Sequence, residues 1–196
     1  YGGDLGSSFS GGVRDRGDFF EATEDTVISE MFAYLNFSAQ TDMYFAVYEA
    51  TALVGTYTKI FEVQVPVVGP GLAWWSSGPV NVSVQAGMFY YIAPSWNGTA
   101  TYYRNSTNPT PYTTNCFGIL HTGAAANRAG YPPAATFNNT YGSGLYSDYG
   151  VGIITGGGDV PWLAEAPVSG TIPAYSTFTG GEVQFDAGAV PEPGVY

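Results

Sequence analysis

The stretch Val80-Asn81-Val82-Ser83-Val84-Gln85 decides the fold. Three valines fall on one side and three polar residues on the other, the two-residue period of a half-buried strand. Downstream, Ala86-Gly87 reads as a tight turn into residues 88–93, which are apolar on both faces. Asn97-Gly98 is a hairpin signal leading into residues 99–103. Upstream, Pro79 opens the run, residues 73–77 carry Trp74 and Trp75, and residues 67–71 form a Pro/Gly turn. Residues 57–65 alternate, with Tyr57, Phe61, Val63 and Val65 on a shared face. Residues 43–49 are apolar on both faces, so this strand is central or meets a partner. In residues 26–37, Met31, Ala33, Leu35 and Phe37 oppose Phe32, Tyr34 and Asn36. Residues 19–23 read as a short edge strand. Residues 105–146 read as long loops holding one strand at 116–120, followed by candidates at 151–155, 171–172 and 182–186. About ten strands with no interleaved helices predict an all-β, jelly-roll-like antiparallel β-sandwich with long loops.

Composition agrees. The 196 residues include 27 Gly, 13 Pro and 16 Tyr against one Lys, and 45% are hydrophobic. Turn formers and strand formers dominate, and disorder is excluded. A formal charge of −11, with no Lys or Arg after Arg128, offers nothing to neutralise phosphates. Nucleic acid and anionic membranes are therefore excluded as partners. Solubility is the plain role of this charge, and structural Ca²⁺ is the one cofactor that clustered carboxylates leave open. The single cysteine, Cys116, forbids an intrachain disulfide and reads as a buried thiol, the alternative being a pair between chains. His121 has no second His or Cys beside it to build a metal site and reads as a loop or packing histidine.

Asn36, Asn81, Asn97, Asn105 and Asn138 each open an Asn-X-Ser/Thr sequon. Five of nine asparagines in sequons exceed chance and favour a secreted glycoprotein whose signal peptide has been removed. No span is long and apolar enough to cross a membrane as a helix. The reading divides the chain into a Gly-rich flexible or extended N-terminal arm at 1–17, a single sandwich domain at 18–186 and an extended tail at 187–196.

From Gly17 to about Tyr103 the chain resembles bacterial extracellular β-sandwich modules of surface-anchored proteins. The residues that carry the resemblance are Arg16-Gly17-Asp18-Phe19-Phe20-Glu21-Ala22-Thr23, Tyr44-Phe45-Ala46-Val47-Tyr48-Glu49-Ala50, Gly55-Thr56-Tyr57-Thr58, Trp75-Ser76-Ser77-Gly78-Pro79-Val80, Ala86-Gly87-Met88-Phe89-Tyr90-Tyr91-Ile92 and Ser95-Trp96-Asn97-Gly98-Thr99. The resemblance implies a jelly-roll-like fold and an extracellular location, and it transfers no catalytic residue. Near the C-terminus, Val190-Pro191-Glu192-Pro193 looks like the Pro-Glu-Pro signal of exosortase-sorted (PEP-CTERM) surface proteins, without the transmembrane helix and basic cluster that follow it there. That likeness implies a Gram-negative-type envelope and an exopolysaccharide setting.

No catalytic constellation stands out. Cys116 and His121 lie close in sequence, but no orienting Asn or Asp motif accompanies them. Sixteen carboxylates define no glycosidase pair without geometry. Gly156-Gly157-Gly158 precedes Asp159-Val160-Pro161, so it is no phosphate loop. Arg16-Gly17-Asp18, the integrin tripeptide, reads as the turn into the first strand. The aromatics Trp74, Trp75, Trp96, Tyr102 and Tyr103, with Tyr90 and Tyr91, suit core packing, subunit contact or a sugar-stacking surface. The expected function is a non-enzymatic structural protein of a cell surface, matrix or filament, a polymer of itself built by strand addition from the 1–17 arm or the 187–196 tail. The alternative is a carbohydrate-binding or adhesion module with extracellular polysaccharide as partner.

Overall fold

The alternating run at 26–37 becomes the spine of one of two facing sheets. The computed structural model of the chain describes residues 5–105, 110–114, 117–124, 127–144 and 148–156, with the backbone of 176–178 and 181–183. Strands are numbered along the chain: β1 (Ser7–Gly11), β2 (Arg14–Asp15), β3 (Asp18–Ala22), β4 (Thr26–Phe37), β5 (Thr41–Ala50), β6 (Gly55–Val67), β7 (Gly71–Ser76) and β8 (Val82–Val84). They continue as β9 (Phe89–Trp96), β10 (Ala100–Arg104), β11 (Tyr112–Thr113), β12 (Gly118–Gly123), β13 (Thr136–Asn139) and β14 (Val151–Gly156). The described residues contain no helix. The fold is an antiparallel β-sandwich, as the periodicity predicts.

In sheet one, β4 carries β7 and β8 end to end along one edge and β10 and β14 end to end along the other, with β1 outside β10. Sheet two runs β11-β12-β3-β9-β5-β6-β13, with β2 continuing β3 along β9. The sequence cut the arm at residue 17, whereas β1 pairs with β10, and Asp15, Arg16 and Gly17 are buried in the sandwich. Contacts divide the chain into residues 1–156 and 157–196, where the sequence set one domain at 18–186. In the second unit, β15 (Ser176–Phe178) and β16 (Gly181–Val183) form an antiparallel hairpin. The tail at 187–196, the candidate at 171–172 and Cys116 lie outside the described residues.

Two expectations about strand position change. The 19–23 strand is no edge: β3 sits between β12 and β9. Tyr57 does not share a face with Phe61, because the β5–β6 register shifts between Val47 and Tyr48. The added residue, Ile60, inverts the side on which earlier residues project. Phe61, Val63 and Val65 therefore pack on the main core, while Tyr57 packs on the opposite face of sheet two.

The main core lies between the sheets. Ile28, Met31, Ala33, Leu35 and Phe37 of β4 meet Phe20, Met43, Phe45, Val47, Tyr90, Ile92 and Trp96 of sheet two. The other face of sheet two builds a second core from Phe19, Ala46, Tyr48, Ala50, Tyr57, Tyr91 and Ala93. The chain covers this face itself: Ala124, Ala129 and Phe137, from the segment between β12 and β13 and from β13, complete that core. Phe137 stacks on Tyr57 at 5.2 Å and meets Tyr48 edge-on at 5.0 Å. The doubly apolar strands that pointed to a partner are thus satisfied within the chain.

A buried carboxylate fastens the cover. Asp15 accepts hydrogen bonds from Tyr91 Oη at 2.8 Å, Arg128 N at 2.9 and 3.0 Å, Ala129 N at 3.2 Å and Gly130 N at 2.9 Å. Successive backbone N–H groups converging on one anion stabilise its charge as water would. Burial, and then the Asp15 charge beside it, hold the Tyr91 hydroxyl well above its ordinary pKa.

Candidate functional site: an aromatic face on sheet one

With both cores closed, the outer face of sheet one carries an aromatic group at the surface. On β4, Phe32, Tyr34 and Asn36 project away from the core, as the period of two requires. Register puts Tyr34 opposite Trp74 and Asn36 opposite Leu72. Tyr103, next to the Tyr102 that pairs with Leu35, stands on the other side of Tyr34. The Tyr34 ring lies 5.0 Å from Trp74 with a 38° tilt and 5.1 Å from Tyr103 with a 50° tilt. Trp74 is 43% exposed, and Leu72 and Ile154 are each 48% exposed.

Two glycines let these rings lie down. Gly150 and Gly152, beside Tyr34 and Phe32, place no side chain on this face of β14 and its approach. A Cβ on Gly150 would lie 2.9 Å from Tyr34 Cβ, and one on Gly152 would lie 3.6 Å from Trp74 Cζ3. Polar groups rim the rings. Ser76 donates a short hydrogen bond to Glu30 Oε1, and the Ser10 and Thr101 hydroxyls are 2.9 Å apart. The result is an apolar strip of tilted rings with hydrogen-bonding groups beside it, suited to the apolar face and hydroxyl edge of a sugar.

Of the aromatic candidates from sequence, Trp74 and Tyr103 join this face. Trp75 points inward, packs edge-on against Phe37 at 5.5 Å and donates Nε1–H to the Leu35 carbonyl at 3.0 Å. Trp96 is fully buried, and Tyr102, 8% exposed, is packed by Phe9 at 5.8 Å and the Arg16 guanidinium at 5.1 Å. Tyr90 and Tyr91 are also fully buried, and burial pushes the Tyr90 hydroxyl up to about 12. The sequence reading missed Tyr34 and Phe32 as surface members, although their parity on β4 already separated them from the core side.

The sequons divide. Asn81, Asn97 and Asn138 are exposed, and Asn36 is half-buried on the aromatic face. Asn105 is fully buried, and its backbone N–H donates to the Asp148 carbonyl at 2.8 Å, so the folded chain has no room for a glycan there. Pro191, Glu192 and Pro193 lie outside the described residues. The Arg16-Gly17-Asp18 tripeptide is buried and unavailable to a receptor.

His121 sits at a register shift in β12, with its half-buried ring 5.6 Å from that of Phe89. Nε2 lies 2.8 Å from Glu21 Oε2 and Nδ1 lies 3.2 Å from Ser143 Oγ. The order Ser-His-Glu resembles a nucleophile relay, which also requires donors for an oxyanion. The neighbouring Gly144 N–H is already bonded to the His121 carbonyl at 2.9 Å. The arrangement staples the 141–144 turn to β12. Among the described residues no three His, Cys, Asp or Glu side chains gather as metal ligands. No described helix is long and apolar enough to cross a membrane. Comparison with known proteins found no matching family model, no similar curated protein and no similar solved structure.

Proposed function

We propose that this chain is a non-enzymatic carbohydrate-binding module of a cell surface or extracellular matrix, and that the Tyr34–Trp74–Tyr103 face holds the glycan. The trio of exposed Trp74 and the half-buried Tyr34 and Tyr103 rings, with its polar rim, carries the reading. The ring tilts of 38° and 50° suit a single, twisted polysaccharide chain better than a flat crystalline surface. Affinity electrophoresis through gels of soluble polysaccharides tests it. Trp74→Ala is expected to weaken retention about tenfold, roughly 1.4 kcal/mol for one stacked ring. Retention unchanged in both Trp74→Ala and Tyr34→Ala would sink the proposal.

A second reading is the structural subunit of a surface layer, matrix or filament. Its support is β1, whose only strand partner among the described residues is β10, leaving an outer edge for strand addition. Size-exclusion chromatography and negative-stain microscopy separate the two. Polymers that dissolve on deletion of residues 5–12 favour assembly, and a monomer retained by polysaccharide favours binding. An exopolysaccharide setting, export past a Pro-Glu-Pro signal and glycans at the exposed sequons fit either reading.

A further inference from the structure

Two carboxyl groups are enclosed where β3 meets the segment leading into β14. Asp18 and Asp148 are both fully buried. Asp18 Oδ1 accepts the Tyr149 N–H at 2.9 Å, which aims the Asp18 carboxyl at the Asp148–Tyr149 segment. Asp148 Oδ2 accepts the Tyr112 hydroxyl at 2.8 Å. The remaining oxygens, Asp18 Oδ2 and Asp148 Oδ1, are shut off from water and accept no hydrogen bond. Buried Asn105 adjoins them through its N–H, which donates to the Asp148 carbonyl at 2.8 Å.

Burying a carboxylate with an open oxygen is among the costliest arrangements in a fold, and two side by side compound it. The basic side chain two residues away does not relieve it. Arg16 Nη1 donates to the Asp15 carbonyl and to Asn127 Oδ1, each at 2.7 Å. Burial, and then the charge of Asp148, hold the Asp18 carboxyl well above the usual range, and burial raises Asp148 as well. A single shared proton neutralises one of the two charges, whereas a divalent cation neutralises both.

We propose that Asp18 and Asp148 together bind one divalent cation of the calcium type, through the two open oxygens Asp18 Oδ2 and Asp148 Oδ1. The donor set is all oxygen, which selects a hard ion such as Ca²⁺ over zinc or copper. Two carboxylates fall short of an acidic cage, so neutral oxygens must complete the shell, and affinity in the range of extracellular modules follows. The ion would clamp β3 to residues 148–149, immediately before the glycines beneath the aromatic face. This site stands independently of the glycan reading.

The test uses the purified full chain. Melting is followed in EDTA and in excess CaCl₂, metal content is measured after desalting, and Tb³⁺ is titrated with excitation at tyrosine, since Tyr112 and Tyr149 adjoin the site. The proposal expects saturable stabilisation of several degrees by Ca²⁺, Tb³⁺ emission that Ca²⁺ competes away, and loss of both in Asp18→Asn and Asp148→Asn. An identical melting temperature in EDTA and in CaCl₂ overturns it, as does a calcium response retained by both variants. Should either variant fail to fold, the chelation and Tb³⁺ measurements on the unaltered chain still decide.

Discussion

Asp15 is a single side chain on which a whole surface depends. Its carboxylate is the shared acceptor for the N–H groups of Arg128, Ala129 and Gly130 and for the Tyr91 hydroxyl. Asp15→Asn keeps the size but turns an NH₂ toward those donors. It is expected to destabilise the fold by about 3 kcal/mol, the scale of leaving buried polar partners uncompensated, measured by urea denaturation. Asp18 makes a pH-dependent counterpart. Its carboxyl is held above the usual range, so in the metal-free chain the folded state keeps a proton that the unfolded state releases above about pH 4. Stability in EDTA should therefore fall as pH rises from there toward neutrality, and Asp18→Asn should flatten that slope in thermal melts at successive pH values. Neither role was legible in the sequence. An Asp two positions before Gly17 carries no sign of the backbone N–H groups that reach it from more than a hundred residues away.

At the scale of strands, the pattern Thr26–Phe37 could be read directly, because nothing interrupts the alternation from Met31 to Phe37. The parity of Tyr57 could not, since the extra residue at Ile60 leaves no compositional trace and flips everything before it. The position of β3 was hidden for a related reason. Its second neighbour, β12, was legible as the short strand at 116–120 within a loop-rich stretch, but nothing there announces which strand it pairs with. Gly17, between β2 and β3, answers a close approach: a Cβ there would lie 1.9 Å from the Ile92 carbonyl oxygen. Gly17→Ala must push β3 away from β9, and a loss well beyond the ~1 kcal/mol of an average substitution is expected in chemical denaturation. Gly150→Val should act locally, crowding Tyr34 and shifting the fluorescence of Trp74 while costing about 1–3 kcal/mol. An unchanged emission spectrum in a folded variant would show that the glycines do not set the lie of the rings.

The described residues up to Gly156 form a sandwich with a third layer made of its own connections. The doubly apolar strands were legible from residues 43–49 and 88–93, but their partner was not. Ala124 and Ala129 are too small to announce a core, and Phe137 stands among polar residues. Replacing residues 125–134 with a Gly-Ser linker should bare Phe19, Tyr48 and Tyr91, and the variant is expected to bind a hydrophobic dye and to self-associate on size-exclusion chromatography. A monomer with unchanged dye binding would mean the face needs no cover. The layout of sheet one has a mechanical corollary. Among the described residues four strands hydrogen-bond to β4, two along each side, and the approach to β14 is tied to β10 through Gly150 N–H, which donates to the Tyr103 carbonyl at 3.1 Å. Because β4 is bonded along both sides, it cannot leave the sheet until both sets of bonds break, so the amides of Met31 to Leu35 should exchange with deuterium in unison, at the rate of complete unfolding.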